Sequence, residues 1–307
     1  MTRIATLAQH NLLLANVLNT QARISQGQLQ IGTGQKAQVY SGLAIDVNRL
    51  LNAKELSDKA TQYADNIGVV QQRLTLMDKA VGQIGSVIRD FKNDIQGSRN
   101  DLTTQGSRLQ SDAITKMQFL ADLLNSKDGT RALFGGTNLA GPATTFNAGT
   151  NTVDNLTNVT GTDAQGRVAA LAIKSDDTTS VRYDATAREA PFENALRGLE
   201  AIANGAPLTQ AIIDTALTFF ENALNGTALG PSFQDIQVRL GSANQFLEAD
   251  RQKHVQFLNY AGDVISSIQN INPAEIIAKV NKDQVQLEAS YQSLARLSEL
   301  SLLNFLR

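Results

Sequence analysis

The sequence predicts a mainly α fold: a long antiparallel, coiled-coil-like helical rod with paired terminal helices and a small β-rich insertion. Three observations predict it. Steps of three and four residues from Ala53 through Leu56, Ala60, Tyr63, Ile67, Val70, Leu74, Met77, Val81, Ile84, Ile88 and Phe91 to Ile95 meet an apolar side chain every time, which is a sustained a/d seam. A second seam runs from Phe233 through Ile236, Leu240, Ala243, Leu247, Phe257, Ala261, Val264 and Ile268 to Ile271, broken only by Asp250 and His254. Both ends of the chain carry further amphipathic helical patterns. At about 1.5 Å per residue the first seam is roughly 65 Å long, so it needs a long partner, and the second seam supplies one.

In chain order, residues 4–31 predict a helix, with Leu7, Leu14, Val17, Leu18, Ile24 and Leu29 set among Gln, Asn and Thr. Its polar face is nearly uncharged, so alone it would be marginal and it needs something to pack on. Gly32-Thr33-Gly34 breaks it, and the chain restarts near Ser41-Gly42 before the first seam. Residues 97–106, rich in Ser, Asn, Thr and Gly, read as a turn. Ala113, Met117, Leu120 and Leu124 then mark a returning helix that stops near Lys127-Asp128-Gly129. After Ala132-Leu133-Phe134-Gly135-Gly136 a tract of Thr, Asn, Gly and Asp runs to about Ala187. Within it, residues 167–174 and 180–184 read as two short strands around Ser175-Asp176-Asp177-Thr178.

Helices resume after Pro191 (Phe192, Leu196, Leu199, Ala203), after Pro207 (Ile213, Leu217, Phe220, Leu224), and after Pro231 with the second seam. A last helix follows Pro273, carrying Ile277, Val280, Leu287, Tyr291, Leu294, Leu297 and Leu303. Each proline sits where a helix begins and its missing amide hydrogen costs nothing. The expected organisation is an N-terminal helix over 1–40, a helical rod over 41–137 and 187–272, a small outward insertion over 138–186, and a C-terminal helix over 273–307.

Composition narrows the function. Hydrophobic residues make up 42% of the 307, with no Trp, five Tyr and eleven Phe, so a largely aliphatic core is within reach. Lys and Arg number 27 against 29 Asp and Glu, and no basic run marks any face, so nucleic acid is not an expected partner. Cysteine is absent, which excludes thiol catalysis, disulfides and thiolate metal sites and suits a chain exported unfolded. Near the start, the apolar run Leu12 to Leu14 is flanked by His10, Asn11, Asn16 and Asn19; this predicts neither a cleavable secretory signal nor membrane insertion.

Nothing in the sequence predicts catalysis. His10 and His254 lie in different helical blocks without metal-ligand spacing; His254 beside Asp250 reads as a polar seam interruption, solvated, hydrogen-bonded or fixing register. Gly27, Gly32 and Gly34 fail as a phosphate loop or dinucleotide fingerprint in letters and in context. Asp176-Asp177 read as turn residues rather than a cation site. No serine sits in a nucleophile elbow, and no cofactor or metal is expected. The stripes of the terminal helices are different, because a lone molecule would expose too much apolar surface there. Leu7, Leu14, Val17, Leu18, Ile24, Ile277, Val280, Leu287, Tyr291, Leu294, Leu297 and Leu303 are therefore the expected assembly interface.

Several of these residues carry a resemblance. Ile31-Gly32-Thr33-Gly34-Gln35-Lys36 followed by Ser41-Gly42-Leu43-Ala44-Ile45, and the terminal helix from Gln284 ending Leu300-Ser301-Leu302-Leu303, are similar to the flagellin family. The family's intervening acidic pair is missing near Val39-Tyr40. Ala132-Leu133-Phe134-Gly135-Gly136-Thr137, with Pro142 and Phe146 beyond, is similar to the hook-associated branch at the hook–filament junction, and the flagellin mark after Phe146-Asn147 is absent. The resemblance implies a structural, non-enzymatic protein of the extracellular flagellum, exported without a cleavable signal peptide through the type III channel with an export chaperone. It would assemble as a ring of identical subunits beside a neighbouring hook-associated protein and flagellin. Flagellin itself, and a secreted coiled-coil adhesin or injection-system component, stay open as alternatives.

Overall fold

The computed structural model describes residues 2–136, 142–154, 171–183, 185–228 and 230–305. Seven helices dominate them: α1 (Thr2–Thr33), α2 (Val47–Ser98), α3 (Leu102–Leu124), α4 (Ala190–Ala203), α5 (Gln210–Asn225), α6 (Phe233–Gln269) and α7 (Pro273–Phe305), with a 3-10 segment, Tyr40–Asp46, between α1 and α2. Three antiparallel two-stranded hairpins complete the described residues: β1 (Lys127–Asp128) with β2 (Arg131–Ala132), β3 (Thr145–Asn147) with β4 (Thr152–Asp154), and β5 (Ala172–Lys174) with β6 (Ser180–Arg182). The fold is mainly α, as the seams predict.

Local departures have local causes. The turn expected over 97–106 is confined to residues between Ser98 and Leu102, and Gly106 is buried inside α3, where a Cβ would lie 3.8 Å from the Leu208 side chain. That glycine is part of the helix rather than of a turn. Pro207 lies ahead of α5 in a cis peptide with Ala206, and Thr209 caps the helix, its hydroxyl accepting from the Ile212 N–H at 3.4 Å. A threonine can cap in this way because its oxygen satisfies an amide the helix leaves open. The expected strand over 167–174 is described only at Ala172–Lys174, and residues 155–170 lie outside the described residues.

The chain forms two compact units, Met1–Lys59 with Phe257–Arg307, and Ala60–Gln256. In the second, α2 and α6 run antiparallel: Phe233 approaches Gly85, Gln237 donates to Asp78 at 3.1 Å, Gln71 donates to Glu248 at 3.0 Å, and the Tyr63 and His254 rings stack at 5.5 Å. Between them Ile67, Leu74, Met77, Ile84, Ile236 and Leu247 are buried, so the two seams are partners. Helix α3 folds back along α2, where Arg108 grips Asp94 with two hydrogen bonds of 2.9 and 3.0 Å. Helices α4 and α5 pack so closely at Gly198 that a Cβ there would sit 2.5 Å from the Phe220 ring. Edge-to-face contacts Phe91–Phe220, Phe134–Phe192 and Phe192–Phe233 tie α2, α4, α5 and α6 together, an arrangement the ring quadrupole favours.

The described parts of the insertion fold onto these helices. Ala143, Tyr183, Ala185 and Ala187 are buried in the same core. The Asn125 side chain brackets the backbone of Thr144 on both sides, the Ala187 N–H donates to the Phe134 carbonyl, and buried Arg73 on α2 donates to the carbonyls of Ala132 and Leu133. The Ala132-Leu133-Phe134 backbone leading into Gly135-Gly136 is thus held, and the guanidinium supplies Ala132 and Leu133 with donors that a hydrophobic core lacks.

Candidate functional site

Two places stand out from the core: the polar break in the second seam, and the terminal helices. At the break, Asp250 is buried and accepts from the Ser175 hydroxyl at 2.7 Å and from Lys253 Nζ at 2.9 Å. His254 Nε2 lies 2.7 Å from the Ser175 carbonyl, and the Tyr63 hydroxyl donates to Asp177 at 2.8 Å. The two seam residues are hydrogen-bonded, as one of the expected readings has it, and His254 also stacks on Tyr63 of the facing seam. They form the seat for the Ser175–Thr178 turn joining β5 to β6. Burial pushes the Asp250 carboxyl up, but the Lys253 and Ser175 hydrogen bonds outweigh it and hold the group below its ordinary value. Asp176-Asp177 belong to this seated turn, and among the described residues no group of three or more His, Asp or Glu could hold a metal ion.

The terminal helices form the other place. In the first unit α1 and α7 lie antiparallel: Gln21 Nε2 donates to the Tyr291 hydroxyl at 2.6 Å, Arg23 binds Asp283 through two hydrogen bonds of 3.0 and 3.1 Å, and Gly27 faces Val280 so closely that a Cβ would lie 2.5 Å from its Cγ2. Arg23 holds the Asp283 carboxyl below the ordinary carboxylate range, through its hydrogen bonds first and its charge second. Beyond α1, Gly34 takes a φ of +71°, the left-handed region glycine enters without steric cost, and the chain reverses. Lys36 N–H then donates to the Gln269 carbonyl at 2.8 Å and Ile271 N–H to the Gly34 carbonyl at 3.0 Å, so the turns on both sides of the helix pair are fastened together.

This pairing sorts the sequence-predicted interface. Val17 and Val280 are only 4% and 7% exposed, covered within the chain. Ile24, Leu287 and Leu294 are half-buried. Leu14, Leu18, Ile277 and Tyr291 stay exposed although the pair has formed. The side chains of Leu7, Leu297 and Leu303 lie outside the described ones. Sequence reasoning left out exposed Leu12, Val285, Val39 and Ile45, which fall off the three-four steps. No periodic signal marks them: Leu12 has Gln9 and Asn16, and Val285 has Asn281 and Glu288, at helical spacing, and Val39 lies between the helices. Fourteen of the twenty large apolar side chains exposed among the described residues belong to this smaller unit, whereas the buried core cluster lies wholly in Ala60–Gln256. Among the described residues no helix is long and apolar enough to cross a membrane, so a bilayer-spanning helix does not account for the surplus.

Neither a protein-family model nor a curated protein sequence matches the chain. Its fold is similar to a solved structure from Vibrio parahaemolyticus that is provisionally named a flagellar hook-associated protein, with a TM-score of 0.59 over 73% of this chain and 97% of that one, at 13% sequence identity.

Proposed function

From a fold shared with a flagellar hook-associated protein, we propose that this chain is a structural, non-enzymatic component of the bacterial flagellum. In that reading it joins the hook side to the filament and assembles through its terminal helices with identical subunits, beside a neighbouring hook-associated protein and flagellin. One observation carries the proposal: the α1–α7 pair forms within the chain, yet its unit keeps most of the exposed large apolar side chains among the described residues. Apolar surface of that extent on a separate unit marks an interaction face. Burying it on assembly would supply the driving force, at about 25 cal/mol per Å² removed from water.

The test is localisation in intact flagella with an epitope placed in the exposed Asp176–Thr178 turn or an equivalent surface site. A single focus at the distal end of the hook is the expected result. Label along the whole filament would make the chain a filament subunit instead, and label away from flagella would overturn the proposal.

A further inference from the structure

Each terminal helix has a second face, turned away from the one it uses in the pair. On α1, Val17, Thr20, Ile24 and Gly27 face α7, while Leu14, Leu18, Ala22, Ser25 and Leu29 are all exposed. At 100° per residue these five cluster within an arc of roughly 80°, about 140° round the helix from the paired face. The stripe runs into a groove of about 410 Å³, lined by Ala22, Ser25, Leu29 and Thr33 of α1 and by the returning segment Gln35–Gln38. On α7, Val280, Leu287 and Leu294 turn inward, and Ala278, Asn281, Val285, Ala289 and Gln292 are exposed, on roughly the opposite side by the same periodicity.

The two outward faces match one another better than either matches itself. The α1 face presents three leucines, and the α7 face presents two alanines around one valine, so large side chains meet small ones as in ridge-and-groove packing. The α1 stripe contains no charged residue, and Arg23, the one charge of α1 between its leucines, is taken by Asp283 of its own chain. On α7 the stretch Ala278 to Gln292 carries Lys282 and Glu288 at the edges of the stripe, and Arg296 follows beyond it. The leucine stripe of α1 therefore asks for no counter-charge, and the charges bordering the α7 stripe can stay at the rim of the contact. Symmetry points the same way. Packing α1 on another α1 closes a two-fold dimer and stops, whereas joining two different faces repeats from copy to copy.

Resting on the assembly reading above, we infer that the outward face of α1 in one copy docks on the outward face of α7 in the next, giving an alternating α1–α7 row in which each junction is identical. Within one chain Arg23 stands level with Asp283 and Gly27 with Val280, so in a level row Leu18 meets the Val285–Ala289 stretch.

The chain has no cysteine, which makes disulfide trapping clean. Full-length variants Leu18→Cys combined with Ala278→Cys, Val285→Cys or Ala289→Cys are concentrated, oxidised and run without reductant, beside each single variant. The expected result is a ladder of covalent multimers for at least one double variant and none for the singles. A covalent dimer of the Leu18→Cys single variant would overturn the inference in favour of α1 on α1. Multimers visible by light scattering but never trapped in any double variant would also overturn it, leaving assembly itself standing. A wild-type chain that stays monomeric at every concentration would sink both readings.

Discussion

A single serine decides what the broken seam is for. Ser175 is fully buried, and both its hydroxyl and its carbonyl are engaged by α6. Replacing Asp250 with Ala leaves that hydroxyl in a dry site without its acceptor, and the cost is about 1–3 kcal/mol. Chemical denaturation should show it, and Ser175→Ala added to Asp250→Ala should cost much less than the two singles summed, because the pair acts as one contact. Glu248, on the same helix, is held at about 2 by hydrogen bonds from Gln71, Arg251 and Gln252. Its folded value lies below the ordinary glutamate value of about 4.3, so its stabilising contribution is present above that value and is lost as pH falls through the folded one. Thermal melts between pH 5 and pH 2 should therefore be steeper for the native chain than for Glu248→Gln, about in proportion to that one carboxylate.

At the scale of elements, two glycines set helix spacing. Gly198→Ala forces a methyl into the Phe220 ring, with three ring atoms at 2.5, 2.8 and 3.0 Å, and overpacking of this kind costs about 1–3 kcal/mol; a lowered melting temperature without loss of helical signal is the expected outcome. Gly27→Ala meets the stiff Val280 side chain at 2.5 Å. It should loosen α1 from α7 and raise hydrogen exchange there while exchange within Ala60–Gln256 is unchanged. The helices were legible because period and partner agree: Ile67, Leu74, Met77 and Ile84 mark one seam, and Phe233, Ile236, Leu240 and Leu247 the other, at the same steps. The hairpins were less so. Lys127–Asp128 with Arg131–Ala132 is too short to show alternation, and Thr144, just ahead of the Thr145–Asn147 strand, is held by Asn125 at the end of a different element. The meaning of Asp250 and His254 was hidden for the same reason, since their partner, the Ser175 turn, is remote in sequence.

For the whole molecule, the distribution of apolar surface separates folding from assembly. The core cluster belongs entirely to Ala60–Gln256, so a chain cut back to that unit should unfold cooperatively and remain monomeric by light scattering. A chain ending before Pro273 should likewise stay folded over that core but fail to associate. If the truncated chain still entered multimers, the terminal helices would not be the assembly surface. That the stripes of α1 and α7 bury against each other or against neighbouring subunits was readable; which side chains remain outside the pair was not, because periodicity gives a face but not its neighbour.

The antiparallel α1–α7 pair also has a mechanical consequence. Force applied to the first residues of α1 and the last of α7 acts at one end of the pair and peels it open. Gln21–Tyr291 gives way first, then Arg23–Asp283, then the Gly27–Val280 contact, and last the two backbone hydrogen bonds joining Gly34 and Lys36 to Gln269 and Ile271. Force applied along the helices instead would load all of these at once, in shear. The same contacts are thus weak against a pull from the ends and strong against a load carried lengthwise.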